Sequence, residues 1–176
     1  KIHQENYQWL GINPDEIVYA SDYMQEFYGL AKKMVASGFA YVCTCPQEKI
    51  KKDRFEGKDC ECRYLVEEEH LKRFDELFKA PEGKMVLRLK GVMQHENTTM
   101  RDPALLRIIK HAHARLGNKF HVWPTYDFEN AVLDGLQGVT HRLRTKEFEL
   151  RNELQNFIQT TLGFPNTKIY EFARFN

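Results

Sequence analysis

The sequence has no long hydrophobic run. Nothing in its 176 residues approaches the ~18 to 20 consecutive apolar positions that a membrane-spanning helix needs. Its first residues, Lys1-Ile2-His3-Gln4-Glu5, lack the apolar stretch of a signal peptide, so the expected compartment is the cytoplasm, with no membrane partner. Excess charge of one sign is missing too: 26 Lys+Arg meet 25 Asp+Glu for a net charge of +1. That balance gives no global drive toward nucleic acid, and any RNA contact has to be local. Internal repeats and low-complexity tracts are also absent. What is present argues against disorder, because 42% hydrophobic and 12% aromatic residues can offset chain entropy. At 20.9 kDa there is room for one folded core and an inserted subdomain.

The chain starts at Lys1 rather than Met and stops in Tyr170-Glu171-Phe172-Ala173-Arg174-Phe175-Asn176, an alternating segment that reads as a strand. We therefore expect a piece of something longer.

From Asp22, the residues Met24, Phe27, Tyr28, Ala31, Met34 and Val35 recur at helical spacing and Gly38 marks the stop, which predicts an amphipathic helix. A short apolar run, Phe39-Ala40-Tyr41-Val42, precedes the cysteines. Val66 to Glu76 carries five acids against two bases and sets Leu71, Phe74, Leu77 and Phe78 on one face, a helix with a solvated acidic side. Met85, Leu87 and Leu89 alternate with Lys84, Val86, Arg88 and Lys90, a half-buried strand with a basic outer face. Arg101 to Lys119 holds five bases and two histidines against Asp102 alone. As a helix with Leu105, Leu106, Ile108 and Ile109 inward, it would offer Arg101, Arg107 and Lys110 to a nucleic-acid backbone.

The last third alternates. Lys119 to Trp123 reads as a strand, Asp127 to Leu136 as a helix, and Gly138 to Leu143 as a strand. Leu150 to Thr161 is a helix closed by Gly163 and Pro165, and a final strand follows. Strands alternating with helices argue for a parallel sheet in an α/β domain.

Cys43-Thr44-Cys45 and Cys60-Glu61-Cys62 are two C-x-C pairs with fourteen residues between them. Two close pairs gather four thiolates for one loop closure, which suits a closed tetrahedral S₄ shell around structural Zn²⁺. The spacing also allows two disulfides or four free thiols, although intracellular chains rarely keep disulfides. His70 reads as a surface residue, since four sulfurs already complete a shell.

Trp123-Pro124-Thr125-Tyr126-Asp127-Phe128 and Leu136-Gln137-Gly138-Val139-Thr140-His141-Arg142-Leu143-Arg144-Thr145-Lys146-Glu147-Phe148 resemble the second half of the catalytic domain of the glutamyl/glutaminyl-tRNA synthetases. Val18 to Tyr23 and Met100 to Ile108 are similar to that family as well, so the resemblance covers nearly the whole chain. It looks most like the archaeal and eukaryotic glutamyl branch, where a Cys-rich segment belongs to an insertion between the halves of the nucleotide-binding fold.

The resemblance implies a Rossmann-like parallel-sheet core interrupted by an α+β zinc-containing insertion. Residues 1–30 would finish the first half of the core, 31–118 would form the insertion that grips the tRNA acceptor end, and 119–176 would return to the core. It implies a ligase that activates glutamate with ATP and Mg²⁺ to glutamyl-adenylate and transfers it to tRNA(Glu). A glutaminyl enzyme and a non-catalytic RNA-binding module are the alternatives. Tyr126 would line the amino-acid pocket. Asn130 stands where glutaminyl enzymes usually have histidine, and Arg144 where they typically have cysteine. An arginine there matches a carboxylate and is left underpaired by a neutral amide. His141 is a candidate on the nucleotide side. The two ATP-binding signatures of the family lie outside this sequence, so no catalytic residue is expected here and the chain alone should be inactive.

Overall fold

The computed structural model describes residues 2–174. Helix α1 (Ile2–Trp9) is followed by a short 3₁₀ turn and helix α2 (Met24–Ala36). Strand β1 (Ala40–Cys43), helix α3 (Gln47–Glu56) and helix α4 (Glu67–Leu77) come next. Strands β2 (Val86–Leu89), β3 (Ala104–Ile108) and β4 (Val122–Pro124) lead to helix α5 (Tyr126–Gln137), strand β5 (His141–Thr145), helix α6 (Glu149–Leu162) and strand β6 (Lys168–Phe172).

Two sheets result. The first is antiparallel in the order β1-β2-β3-β4, and the second is the parallel pair β5-β6 joined by α6. Parallel neighbours require such a crossover, so β5-α6-β6 is one βαβ unit. Alternation assigns the faces of the antiparallel sheet. Ala40, Val42, Leu87, Leu89 and Leu106 join the main core with Met24, Phe27, Ala31, Met34, Phe74 and Leu77 from α2 and α4. Tyr41, Cys43 and Val86 turn the other way, to a second cluster with Cys60, Cys45, Ile50 and Cys62. The main core continues through Phe128, Ala131 and Val132 of α5 into Leu154, Ile158 and Leu162 of α6, whereas the β5-β6 pair is tied to α6 by polar contacts such as Arg144 to Gln155 and Asn152 to Glu171.

The expected helices over α2, α4, α5 and α6 are present, and Gly163 ends α6 with φ +81°, a left-handed position that glycine adopts without strain. The expected helix between Arg101 and Lys119 is not. Ala104–Ile108 is strand β3, and the register slips between Leu87 and Arg88, leaving Leu105 as an extra residue. That bulge sends both Leu105 and Leu106 into the core, erasing the alternation that marks a strand and imitating a helical stripe. The basic outer face expected of β2 is also corrected. β2 is an interior strand covered on both faces, and Arg88 is 1% exposed. His70 is no surface residue either; it is buried on α4 and accepts the Val42 N–H at Nδ1 (3.4 Å). Of the expected last strand, β6 ends at Phe172, and Phe175 and Asn176 lie outside the described residues.

Candidate substrate pocket and metal centre

Tyr126 opens α5 directly after β4, Arg144 is the fourth residue of β5, and the polar face of α6 closes over both. Arg144 is 7% exposed. Its Nη1 donates to Asn152 Oδ1 (2.8 Å) and Gln155 Oε1 (3.0 Å), its Nη2 donates to the Tyr126 hydroxyl (3.3 Å), and its guanidinium lies 5.1 Å from the Phe148 ring centre. Every one of these partners is neutral. The neighbouring cations differ: Arg142 pairs with Asp134, and Arg151 pairs with Asp127 at 2.5 Å. Burial first, and then the like charge of Arg144, hold the Arg142 guanidinium below its ordinary value. Arg144 Nε is buried with no hydrogen-bond partner among the described residues. A buried guanidinium with an unmet N–H and no carboxylate in contact leaves its charge without a counterion.

Asn152 and Gln155 hold that guanidinium from α6, and sequence reasoning missed both. Gln155 is fully buried, accepts from Arg142 and Arg144 at one oxygen, and donates to Asp127 Oδ1 (3.0 Å). Asn152 donates onward to Glu171 on β6 (2.6 Å). The available signal was two amides three positions apart, which share one helix face. Asn130 sits one turn along α5 from Tyr126 and donates to the Tyr126 carbonyl (2.8 Å), turned back on its own helix. The structure brings Tyr126 to Arg144 but not His141. That residue starts β5, exposed and stacked on Tyr170, at the end opposite the carboxyl edge where parallel sheets bind ligands.

Of the basic candidates, Arg107 on β3 and Lys110 beyond it are exposed. Arg101 is engaged inside the fold, donating to the carbonyls of His95 (2.7 Å) and Arg54 (3.1 Å).

The four cysteine sulfurs lie within 4.8 Å of one another, close enough to hold a metal ion. Cys43 and Cys60 are 3.5 Å apart, Cys45 and Cys60 3.4 Å, and Cys45 and Cys62 3.9 Å. A tetrahedral Zn–S shell of about 2.3 Å places its sulfurs about 3.8 Å apart, which side-chain shifts of up to about 1 Å bring this set to. Burial and the neighbouring thiols push Cys43 up to about 11. Burial acts on Cys62 too, but bonds from the Thr44 N–H and hydroxyl and from Cys45 and Cys60 bring it down to about 7. Arg88 and Arg73 each direct an N–H at a sulfur, Cys43 and Cys62, at 4.0 Å.

A glutamate–tRNA ligase of Cenarchaeum symbiosum is 40% identical over 94% of this chain and 30% of its own length, and one of Korarchaeum cryptofilum 41% identical over the same shares. A probable glutamine–tRNA ligase of Dictyostelium discoideum is 37% identical over 98% of this chain and 22% of its own. The chain thus spans about a third or less of these curated relatives. Among solved structures, a glutamate tRNA ligase from Elizabethkingia meningosepticum in complex with its amino acid matches the fold with a TM-score of 0.64 at 22% identity, covering 96% of this chain and 38% of that one. The family model described as tRNA synthetases class I (E and Q), catalytic domain, matches residues 1–176, and with the βαβ unit and the arginine pocket already in place, the chain belongs to that family.

Proposed function

We propose that the protein carrying this chain is a glutamate–tRNA ligase that activates glutamate with ATP and Mg²⁺ and passes it to tRNA(Glu), and that this chain supplies the amino-acid pocket. The observation that carries the reading is Arg144, buried and cationic among neutral partners with its Nε unmet. Glutamate brings the missing negative charge, whereas glutamine brings a neutral amide that leaves the charge without a counterion. Tyr126 orients the same side chain through its hydroxyl, and Asn130 stands one turn further along that wall. Activation in this class relies on holding the carboxylate in line with the α-phosphate rather than on a covalent nucleophile. The role of these residues is placement.

In this reading residues 1–30 and 119–176 belong to the nucleotide-binding core. Residues 31–118 are the insertion, and β4 is the seam between them, paired with β3 and running into α5. The insertion meets the acceptor stem through exposed Arg107 and Lys110, with Arg101 bracing the surface from within. Cys43, Cys45, Cys60 and Cys62 hold a structural Zn²⁺, whose all-sulfur shell leaves no open position for chemistry.

The test is Arg144→Cys in the full-length protein, followed by amino-acid-dependent ATP–pyrophosphate exchange. Glutamate-dependent exchange is expected to fall by on the order of a hundredfold, about 2.7 kcal/mol, with the glutamine signal much less affected. Unchanged glutamate exchange would sink the assignment.

A further inference from the structure

A second set of arginines lies away from the Arg144 pocket, on the face of the antiparallel sheet that looks toward the cysteines. Val86 and Arg88 of β2 stand beside Arg107 and Ala104 of β3, and α3 covers them. Between these elements is a cavity of about 560 Å³ whose lining includes Arg54, Arg88, Arg107, Asp102 and Glu82. This is large enough for a phosphate group and part of what it is attached to.

The hydrogen-bond inventory of those arginines is incomplete. Arg88 donates from Nε to the Asp102 carbonyl (2.9 Å) and approaches the Cys43 sulfur from Nη1, while its Nη2 is buried with no partner among the described residues. Arg54 donates from Nη2 to the Thr98 carbonyl (2.9 Å), and its Nε is likewise buried and unmet. Arg107 is exposed at the mouth. A buried guanidinium N–H left without an acceptor costs several kcal/mol unless a ligand meets it.

The acids nearby do not cancel this charge. Asp102 is saturated: its carboxylate accepts from Arg63 (2.5 Å), the Tyr41 hydroxyl (2.8 Å) and the Gly91 N–H (2.8 Å). Asp53, on the same helix as Arg54, pairs with Lys49 (2.8 Å). Glu82 sits at the rim, accepting the Lys110 N–H (3.3 Å). Burial and the charge of Arg88, with Asp102 opposing them and Arg101 adding to them, hold Arg54 below its ordinary value.

We propose that the cavity between α3, β2 and β3 is an oxyanion site that takes a phosphate group, with Arg54, Arg88 and Arg107 as its donors. Arginine forks match phosphate oxygens bidentately, and three of them around one cavity exceed what a solvated surface needs. The phosphate comes either from an RNA backbone or from a free nucleotide or phosphate ion. The proposal stands apart from the amino-acid pocket, so its failure would leave the Arg144 reading untouched.

The test is calorimetric titration of the metal-loaded full-length protein with inorganic phosphate, followed by competition with a 5′-phosphorylated RNA trinucleotide. Saturable phosphate binding is expected, weakened about tenfold or more by Arg107→Ala and by Arg54→Gln, and strengthened severalfold by Glu82→Gln. Arg88 is too deeply buried for its removal to separate binding from folding, so exposed Arg107 decides the matter, with thermal unfolding as the control. A trinucleotide that displaces phosphate at lower concentration identifies the RNA backbone as the source; one that does not compete identifies a small phosphate. No saturation at millimolar phosphate, or equal affinity in the protein and both arginine variants, would overturn the proposal.

Discussion

Gln155 shows how a neutral side chain can set the charge preference of a site. Its amide oxygen takes N–H groups from Arg142 and Arg144, and its amide nitrogen turns to Asp127, so Arg144 is held firmly without being neutralised. Gln155→Glu would put a carboxylate on that guanidinium and compete with the substrate's own. Glutamate-dependent pyrophosphate exchange should drop by on the order of tenfold, about 1.4 kcal/mol, while glutamine-dependent exchange changes less. If both fall equally, Gln155 is merely packing. Its one mark in the sequence is the spacing to Asn152, a weak one, since a glutamine in the middle of a helix looks solvated until its face is known. Arg144 and Tyr126 were legible only because their flanking motifs resemble a family; their mutual contact was not. Arg88 misled for a related reason, because alternation separates two faces of a strand without saying that both are covered.

His70 gives the residue scale a pH dependence. Burial, and then the charges of Lys90 and Arg73 set against Glu69, lower its pKa from the ordinary 6.5, and it is packed against Tyr41 and the Val42 N–H as a neutral ring. The unfolded chain therefore takes up this proton first as pH falls. The stability linked to His70 is complete above about pH 6.5 and is lost progressively below it, toward the lowered folded value. The urea midpoint should decline between pH 7.5 and 5.5, and the decline should be smaller in His70→Gln. Equal declines would assign the effect elsewhere.

At the scale of elements, periodicity worked where an element has one covered face and failed where geometry breaks the period. The helices α2, α4 and α6 each bury one stripe, which the spacing of Phe27, Phe74 or Leu154 announces. β3 carries a bulge and offers no such signal. Packing between α5 and the turn after α6 depends on a close approach that sequence cannot display. A Cβ on Gly135 would come within 2.4 Å of the Phe164 ring. Gly135→Ala must displace that aromatic group, and the cost of such overpacking is about 1 to 3 kcal/mol. Thermal unfolding should register a lower midpoint, and a paired Phe164→Leu should restore part of it. A rise with Gly135→Ala alone would show that the ring moves freely.

For the whole molecule, one apolar core runs from the antiparallel sheet through α2, α4, α5 and α6, while the cysteine segment is attached on the far face through a smaller cluster around Tyr41 and by polar links. The most central link is Asp102. Its carboxylate joins Tyr41 on β1, Gly91 after β2 and Arg63, the residue immediately following Cys62. In the proposed metal-loaded protein, occupancy of the cysteine site would reach backbone that never touches the ion. In hydrogen-exchange terms, the Gly91 amide is a remote reporter: chelation frees Arg63, slackens Asp102, and should speed Gly91 exchange by about tenfold or more, while amides in α6 keep their protection. Uniform acceleration would mean that the metal supports the entire core. Confined acceleration would define the cysteine segment and its Asp102 clasp as a separately opening unit, one that can loosen while the amino-acid pocket stays assembled.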